Sequence, residues 1–211
     1  MDINIYKIVK NTKTLGPGNR YAIWTQGCIN NCLDCIAPDS QKINVNNRID
    51  IQSILDDIKK FDGRGITISG GEPFLQIIEL TSLIEGIQSI NKKLDIIIYT
   101  GYTMNKLIEM NNEYIFKILN MVDIIIDGRY IKDLNIGTPL RGSSNQNFNI
   151  LSEKGDKLYL DIQNINKREI EIDVNNNEVF LIGIPTKKQL NIFDNILLNI
   201  EGRDSYEWKK K

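Results

Sequence analysis

Residues 21–35 read YAIWTQGCINNCLDC, a short apolar segment that leads straight into a loop holding every cysteine of the chain. We predict a β-strand over residues 21–24, so that the cysteines follow the end of a strand. Cys28, Cys32 and Cys35 have the spacing CxxxCxxC. If three cysteines were scattered at random, this spacing would arise roughly once in several thousand arrangements. The spacing therefore indicates a site rather than three unrelated core residues.

The chain contains no histidine and no fourth cysteine. Catalysis by Ser-His-Asp or Cys-His groups, the HExxH zinc site and Cys/His zinc fingers are thereby excluded. Structural zinc needs four ligands, and a disulfide framework does not suit an odd number of cysteines in a reducing compartment. A [4Fe-4S] cluster normally takes four thiolates, so three would leave one iron open to a substrate or cofactor. We predict such a cluster, with an adventitious or zinc site as the alternative.

Strands and helices alternate after the cysteine loop. We predict further strands at residues 66–69, 94–99 and 122–126, the last as a continuous apolar run typical of a strand covered on both faces. Asp50 and Thr103 are predicted to cap helices. Apolar side chains with a helical period are Ile51, Ile54, Leu55 and Ile58 in one helix and Ile77, Leu80, Ile84 and Ile87 in the next. This order predicts parallel βαβ units in an α/β fold.

The C-terminal third has a different pattern. Residues 169–174 and 178–182 flank the turn-prone triplet 175–177, which predicts a β-hairpin. Thr186 is predicted to cap a last helix. Its apolar positions, expected to face inward, are Leu190, Phe193, Leu197 and Ile200.

Length and composition suit one globular core. We expect residues 1–150 to form it and residues 151–211 to be an extension packed on it, not an independent domain.

A formal net charge of -1 predicts neither a nucleic-acid nor a membrane partner. Apolar runs such as residues 96–98 are far below the roughly 18 to 20 needed to span a bilayer. Because residues 1–10 lack a signal-peptide core, we expect a cytoplasmic protein.

The cysteine spacing resembles the signature of the radical S-adenosylmethionine (SAM) superfamily. The resemblance implies that Cys28, Cys32 and Cys35 are the metal ligands and the catalytic centre. In that superfamily the open iron is chelated by SAM, and one electron cleaves SAM to methionine and a 5′-deoxyadenosyl radical. The resemblance also implies a partial (β/α) barrel with mostly parallel strands, here with a C-terminal β-hairpin and helix.

The predicted SAM contacts lie at the ends of strands, where ligands bind in parallel α/β folds. Gly70-Gly71-Glu72 is similar to the family element that contacts the SAM ammonium, and each glycine allows a close backbone approach. Thr100 and Tyr102 are placed to meet the ribose or adenine. Asp127 follows the fourth strand, where we expect it to face the nucleoside or the substrate. The Gly70-Gly71 segment and the segment with Thr100 and Tyr102 are each also compatible with an ordinary strand-ending turn.

Within the superfamily, residues 5–149 are most similar to the group of anaerobic ribonucleotide reductase and pyruvate formate-lyase activating enzymes. Residues 140–146 look like the RGSSNQ segment of that group, and we predict that Arg141 in this segment acts in substrate turnover. The resemblance implies hydrogen abstraction from a glycine of a glycyl radical enzyme. It also implies reduced flavodoxin or ferredoxin as the electron donor. The chain departs from the group at Ile36-Ala37, where His-Asn is usual, and in the length of the extension.

Two other functions stay open at this point. One is a stand-alone radical SAM enzyme that modifies a peptide or a small molecule. The other is a non-catalytic iron-sulfur or metal-binding protein, which would release no 5′-deoxyadenosine.

Overall fold

The computed structural model describes residues 1–33, 35–43, 46–175, 178–186, 188–193 and 195. Its centre is a seven-stranded sheet. The strands are β1 (Asp2–Thr12), β2 (Arg20–Thr25), β3 (Arg48–Asp50), β4 (Gly65–Gly70), β5 (Asp95–Tyr99), β6 (Ile124–Asp127) and β7 (Asn147–Ile150). They are ordered β3-β1-β2-β4-β5-β6-β7 across the sheet.

The middle of the sheet is parallel. Strands β2, β4, β5 and β6 run in the same direction, while β1, β3 and β7 pair antiparallel to their neighbours. The four parallel strands are the four that the sequence predicts. Every residue of β6 is buried, as expected for a strand covered on both faces. The predicted α/β class with a largely parallel sheet is therefore confirmed.

Helices connect and cover the strands. They are α1 (Ile51–Ile58), α2 (Ile77–Ile90), α3 (Met104–Glu109), α4 (Glu113–Met121) and α5 (Glu153–Gln163). The predicted apolar stripes of α1 and α2 are buried, apart from half-buried Ile77. Thr103 caps α3 by accepting a hydrogen bond from the Lys106 N–H. Asp50 occupies the N-cap position of α1, but its side chain makes no capping bond.

None of the helices described in the structure is long and apolar enough to cross a membrane.

The predicted hairpin is confirmed as strands β8 (Ile170–Asn175) and β9 (Glu178–Gly183), paired antiparallel. Phe180 of β9 packs edge-on against Trp24 of β2, with ring centroids 5.3 Å apart. Ile182 is buried in the same cluster as Leu15 and Trp24. The hairpin therefore packs against apolar side chains of β2 and of the segment before it.

A helical stretch over residues 188–193 follows the hairpin. Thr186 caps it, because Thr186 Oγ1 accepts from the Gln189 N–H while Gln189 Oε1 accepts from the Thr186 N–H. Phe193 is buried as predicted. The predicted inward positions Leu197 and Ile200 lie outside the described residues.

A buried ion pair closes the end of the sheet where the parallel strands begin. Arg20, at the start of β2, is fully buried and lies 2.6 Å from a carboxylate oxygen of Asp95, at the start of β5. Arg20 also donates to the Thr67 hydroxyl and to the Ile66 carbonyl. Buried side chains therefore fill the space between the starts of β2 and β5.

Candidate active site

A large cleft opens at the carboxyl ends of the parallel strands. Its walls include Ser69 and Gly70 at the end of β4, Tyr99 and Thr100 at the end of β5, and Gly128 after β6. Its volume is about 1210 Å³ when the space open to solvent is included.

All three cysteines line this cleft. Cys28 is buried, Cys32 and Cys35 are half-buried, and all three are free thiols. Burial raises the pKa of the Cys28 and Cys35 thiols, although the Asn30 N–H donates to Cys28 Sγ at 3.4 Å and so opposes the shift at Cys28. Thiolates in such surroundings need a bound cation, and iron would supply that charge.

The donor set fits an iron-sulfur cluster better than a single metal ion. Among the described residues, no group of three or more Cys, Asp or Glu side chains is placed to hold one ion. In a cluster each thiolate binds a different iron, so the sulfurs need not converge on one point. Three thiols on one cleft wall suit three irons, and no histidine or further cysteine exists in the sequence to bind the fourth.

Close backbone packing holds the cysteine loop against the end of β4. The Glu72 N–H donates to the Gly27 carbonyl, and the Gly27 N–H donates to the Ser40 carbonyl. A Cβ atom on Gly71 would stand 2.1 Å from the Gly27 oxygen. Gly70 has a φ of 108°, and a Cβ atom there would stand 2.3 Å from the Thr25 nitrogen. Both glycines are therefore required for β4 to end directly behind the cysteines.

Glu72 lies fully buried beneath the cleft wall and joins three segments. Its Oε1 accepts from the Thr100 hydroxyl at 2.8 Å and from the Phe74 N–H at 3.1 Å. Its Oε2 accepts from the Gly101 N–H at 2.8 Å and from the Asn30 side-chain amide at 3.1 Å. Burial raises the Glu72 pKa, and these hydrogen bonds oppose the shift. Glu72 thus positions Asn30, Thr100 and Gly101, all of which line the cleft.

Tyr102 and Asp127 are set back from the described cleft lining. Asp127 Oδ2 accepts from the Met104 N–H at 2.7 Å, and Oδ1 accepts from the Asn147 N–H at 3.2 Å. Asp127 therefore ties the start of α3 to the start of β7. Tyr102 is half-buried against the main core, and its N–H donates to the Thr100 hydroxyl. Their predicted contacts with SAM stay predictions.

Arg141 is also set back from the described cleft lining. Its Nη1 donates to the Gln146 carbonyl at 2.8 Å, and its guanidinium lies 5.3 Å from the centroid of the Phe148 ring. The side chain therefore braces its own loop, and its role in turnover stays a prediction.

Several residues line the cleft although the sequence assigns them no role in the site. Gln146 lines the cleft, donates to the Gly128 carbonyl and accepts from the Gly142 N–H. It therefore connects the segment after β6 to the RGSSNQ segment. In the sequence, the polar character of this segment is the only indication that Gln146 belongs to a site. Ile36 and Ala37, which replace the usual His-Asn, also line the cleft. They make the wall beside Cys35 more apolar.

The comparison with protein families agrees with this site. Residues 14–149 match the family described as "4Fe-4S single cluster domain". The match spans more than half of the 211 residues, and the chain belongs to this family of iron-sulfur proteins. The prediction of a [4Fe-4S] cluster is thereby confirmed at the level of the family.

The relatives are activating proteins. The chain is 26% identical to the anaerobic ribonucleoside-triphosphate reductase-activating protein of Escherichia coli (strain K12) over 139 residues, which are 62% of this chain and 88% of that protein. The protein of the same name from Enterobacteria phage T4 is 28% identical over 139 residues, 62% of this chain and 83% of that protein. The pyruvate formate-lyase-activating enzyme of Staphylococcus epidermidis is 38% identical over 81 residues, 35% of this chain and 32% of that enzyme. The predicted resemblance to this group is confirmed.

Proposed function

We propose that this chain is a radical SAM activating enzyme that generates a glycyl radical on a protein partner. The proposal is supported most directly by the cleft at the carboxyl ends of the parallel strands. Its wall contains Cys28, Cys32 and Cys35 together with the Gly70-Gly71 turn. When bound, the cluster supplies one electron for cleavage of SAM to methionine and a 5′-deoxyadenosyl radical, which abstracts hydrogen from the substrate.

The chain's own residues bind SAM and keep it beside the thiols. Gly70 and Gly71 let the end of β4 pack directly against the backbone of the cysteine loop, and both glycines line the cleft beside Cys28. Glu72 supplies negative charge behind this wall, which favours a bound ammonium or sulfonium group. Thr100 borders the same space, and the ribose or adenine is proposed to lie on this side, within reach of Tyr102 and Asp127. Arg141 is proposed to act in substrate turnover.

We further propose that the sheet is part of a partial (β/α) barrel and that residues 151–211 are an extension of the same core. Support comes from the extension residues that line the cleft. These are Phe180, Leu181, Gly183, Ile184, Pro185 and Leu190. The extension would therefore form the apolar side of the cleft and limit what enters it.

The proposed partner is a protein with a reactive glycine, because the relatives activate enzymes by name. Exposed apolar side chains beside the cysteines support docking of a protein surface, since Ile29, Leu33 and Ile36 are 54%, 65% and 45% exposed. A reduced flavodoxin or ferredoxin is the proposed electron donor, and the reducing cytoplasm is the proposed location.

The test uses the full chain, anaerobically reconstituted with iron and sulfide, reduced with dithionite and given SAM. It is then mixed separately with an anaerobic ribonucleoside-triphosphate reductase and with a pyruvate formate-lyase. We expect 5′-deoxyadenosine release and a glycyl radical signal in the electron paramagnetic resonance spectrum of one of them. Release of 5′-deoxyadenosine without a radical on either protein contradicts the activase proposal and favours the stand-alone enzyme.

A further inference from the structure

Arg168 is a buried cation in the extension, outside the segment that matches the family. Only 9% of it is exposed. Its Nε donates to the Thr138 carbonyl at 2.8 Å, and its Nη1 donates to the Asn135 side-chain oxygen at 2.7 Å. Its Nη2 donates to the carbonyls of Arg141 and Gly142. One guanidinium therefore holds a single loop, residues 135–142, at four points.

The acceptors of Arg168 are all neutral. A fifth bond goes to the Pro185 carbonyl, and within the described chain no carboxylate pairs with this guanidinium. Burial lowers the pKa of Arg168. A buried charge without a counter-ion is costly unless its donors are satisfied. The planar guanidinium, with donors fixed in a fork, satisfies all of these acceptors at once, which an ammonium group does not.

The loop that Arg168 holds contains backbone strain. Leu140 has a φ of 56°, a left-handed conformation that is unfavourable for a leucine. The Tyr99 hydroxyl donates to the Leu140 carbonyl at 2.9 Å, so three successive carbonyls, those of residues 140–142, are held by side chains. A strained segment persists only where its surroundings hold it, and such segments concentrate at functional sites.

The held loop forms part of the cleft wall. Asn135, Gly142 and Tyr99 all line the cleft. We propose that Arg168 is a positioning residue that fixes the 135–142 loop as a wall for the substrate. The C-terminal extension thereby couples SAM cleavage to hydrogen abstraction from the correct atom. This inference rests on the proposed function and assigns the extension a role within it.

The test compares Arg168→Met with Lys167→Met in the full, reconstituted chain. Lys167 is the matched control, because its side chain is 80% exposed and pairs with Glu169 at the surface. We expect faster backbone hydrogen exchange at Arg141 and Gly142 in Arg168→Met alone, since the Arg141 N–H donates to the Thr138 carbonyl and the Gly142 N–H to the Gln146 side chain. In both variants, the cluster absorbance and the rate of SAM cleavage in the absence of the partner protein should stay within about twofold of the wild-type values. Radical transfer to the partner should fall about 10- to 100-fold, so that more 5′-deoxyadenosine is released per glycyl radical.

Two further variants keep the test decisive if Arg168→Met folds poorly. Arg168→Lys keeps the positive charge but lacks the planar guanidinium. We therefore expect it to restore only part of the radical transfer per SAM cleaved that Arg168→Met loses. Tyr99→Phe keeps the ring and removes one anchor of the loop, so we expect a smaller rise in exchange at residues 140–142. Unchanged exchange in the folded variants, or equal loss of coupled and uncoupled SAM cleavage, overturns the inference. A wild-type chain that releases no 5′-deoxyadenosine overturns the proposed function instead, while hydrogen exchange still decides whether Arg168 holds the loop.

Discussion

Cys28, Cys32 and Cys35 differ in burial although they serve one predicted cluster. The most buried thiol, Cys28, lies three residues after the end of β2, whereas the other two lie farther along the same loop. Their spacing is visible in the sequence because all three are neighbours along the chain. Asn30 and Gln146 are not recognisable in the same way, because they reach the cleft only when separate loops meet. The sequence therefore predicts the donor atoms, and the structure adds the side chains that position them.

Replacing any one cysteine with alanine tests the ligand assignment. We expect Cys28→Ala, Cys32→Ala and Cys35→Ala each to lose the cluster absorbance and SAM cleavage, because two thiolates leave two irons without protein ligands. Leu33→Ala is the control, since this residue of the same loop is 65% exposed. An alanine variant that keeps wild-type SAM cleavage would remove that cysteine from the ligand set.

Glu72→Gln tests the buried carboxylate. Whichever way the new amide turns, its NH₂ group faces N–H or O–H donors that now bond to a carboxylate oxygen. We therefore expect a loss of about 1–3 kcal/mol in the free energy of unfolding and weaker SAM binding, with the cluster retained. Chemical denaturation and equilibrium SAM binding measure these effects. Glu85→Gln, on the exposed face of α2, is the control, and unchanged SAM affinity in Glu72→Gln would contradict the ammonium role.

At the scale of elements, the parallel strands and the first two helices are predictable because their signals are local. Apolar runs and a 3.6-residue period need no knowledge of the partner. Strand β1 is not predicted from the sequence, because its buried side chains do not alternate regularly. The alternation is broken where its pairing with β2 is irregular, between Ile5 and Lys7 and between Val9 and Thr12. Helix α5 escapes because its sequence is mostly polar and few of its side chains are buried.

Asp127 links two elements that are distant in the sequence. It follows β6 as predicted, yet its carboxylate bonds to backbone groups of α3 and β7. Asp127→Ala leaves the Met104 and Asn147 N–H groups without acceptors, so we expect a loss of about 1–3 kcal/mol in unfolding free energy. Thermal and denaturant unfolding measure it, with exposed Asp133→Ala as the control. A loss of SAM affinity without loss of stability would instead place Asp127 at the nucleoside.

At the scale of the whole molecule, the two ends of the sheet have opposite properties. Arg20 and Asp95 fill one end with a buried ion pair, whereas the other end is an open cleft with the thiols on its wall. The extension adds an apolar wall to that cleft through Phe180 and Ile184. The hairpin of the extension is predictable from the turn-forming residues between its strands. Its packing against Trp24 is a tertiary contact, and no local sequence pattern predicts it.

In the proposed mechanism, three thiols hold a cluster whose remaining iron is open to SAM. The most direct measurement is 5′-deoxyadenosine formation by the anaerobically reconstituted, dithionite-reduced chain after addition of SAM. We predict formation that depends on SAM, on the reductant and on each cysteine. Reconstituted protein that carries iron and sulfide but releases no 5′-deoxyadenosine would rule out this mechanism.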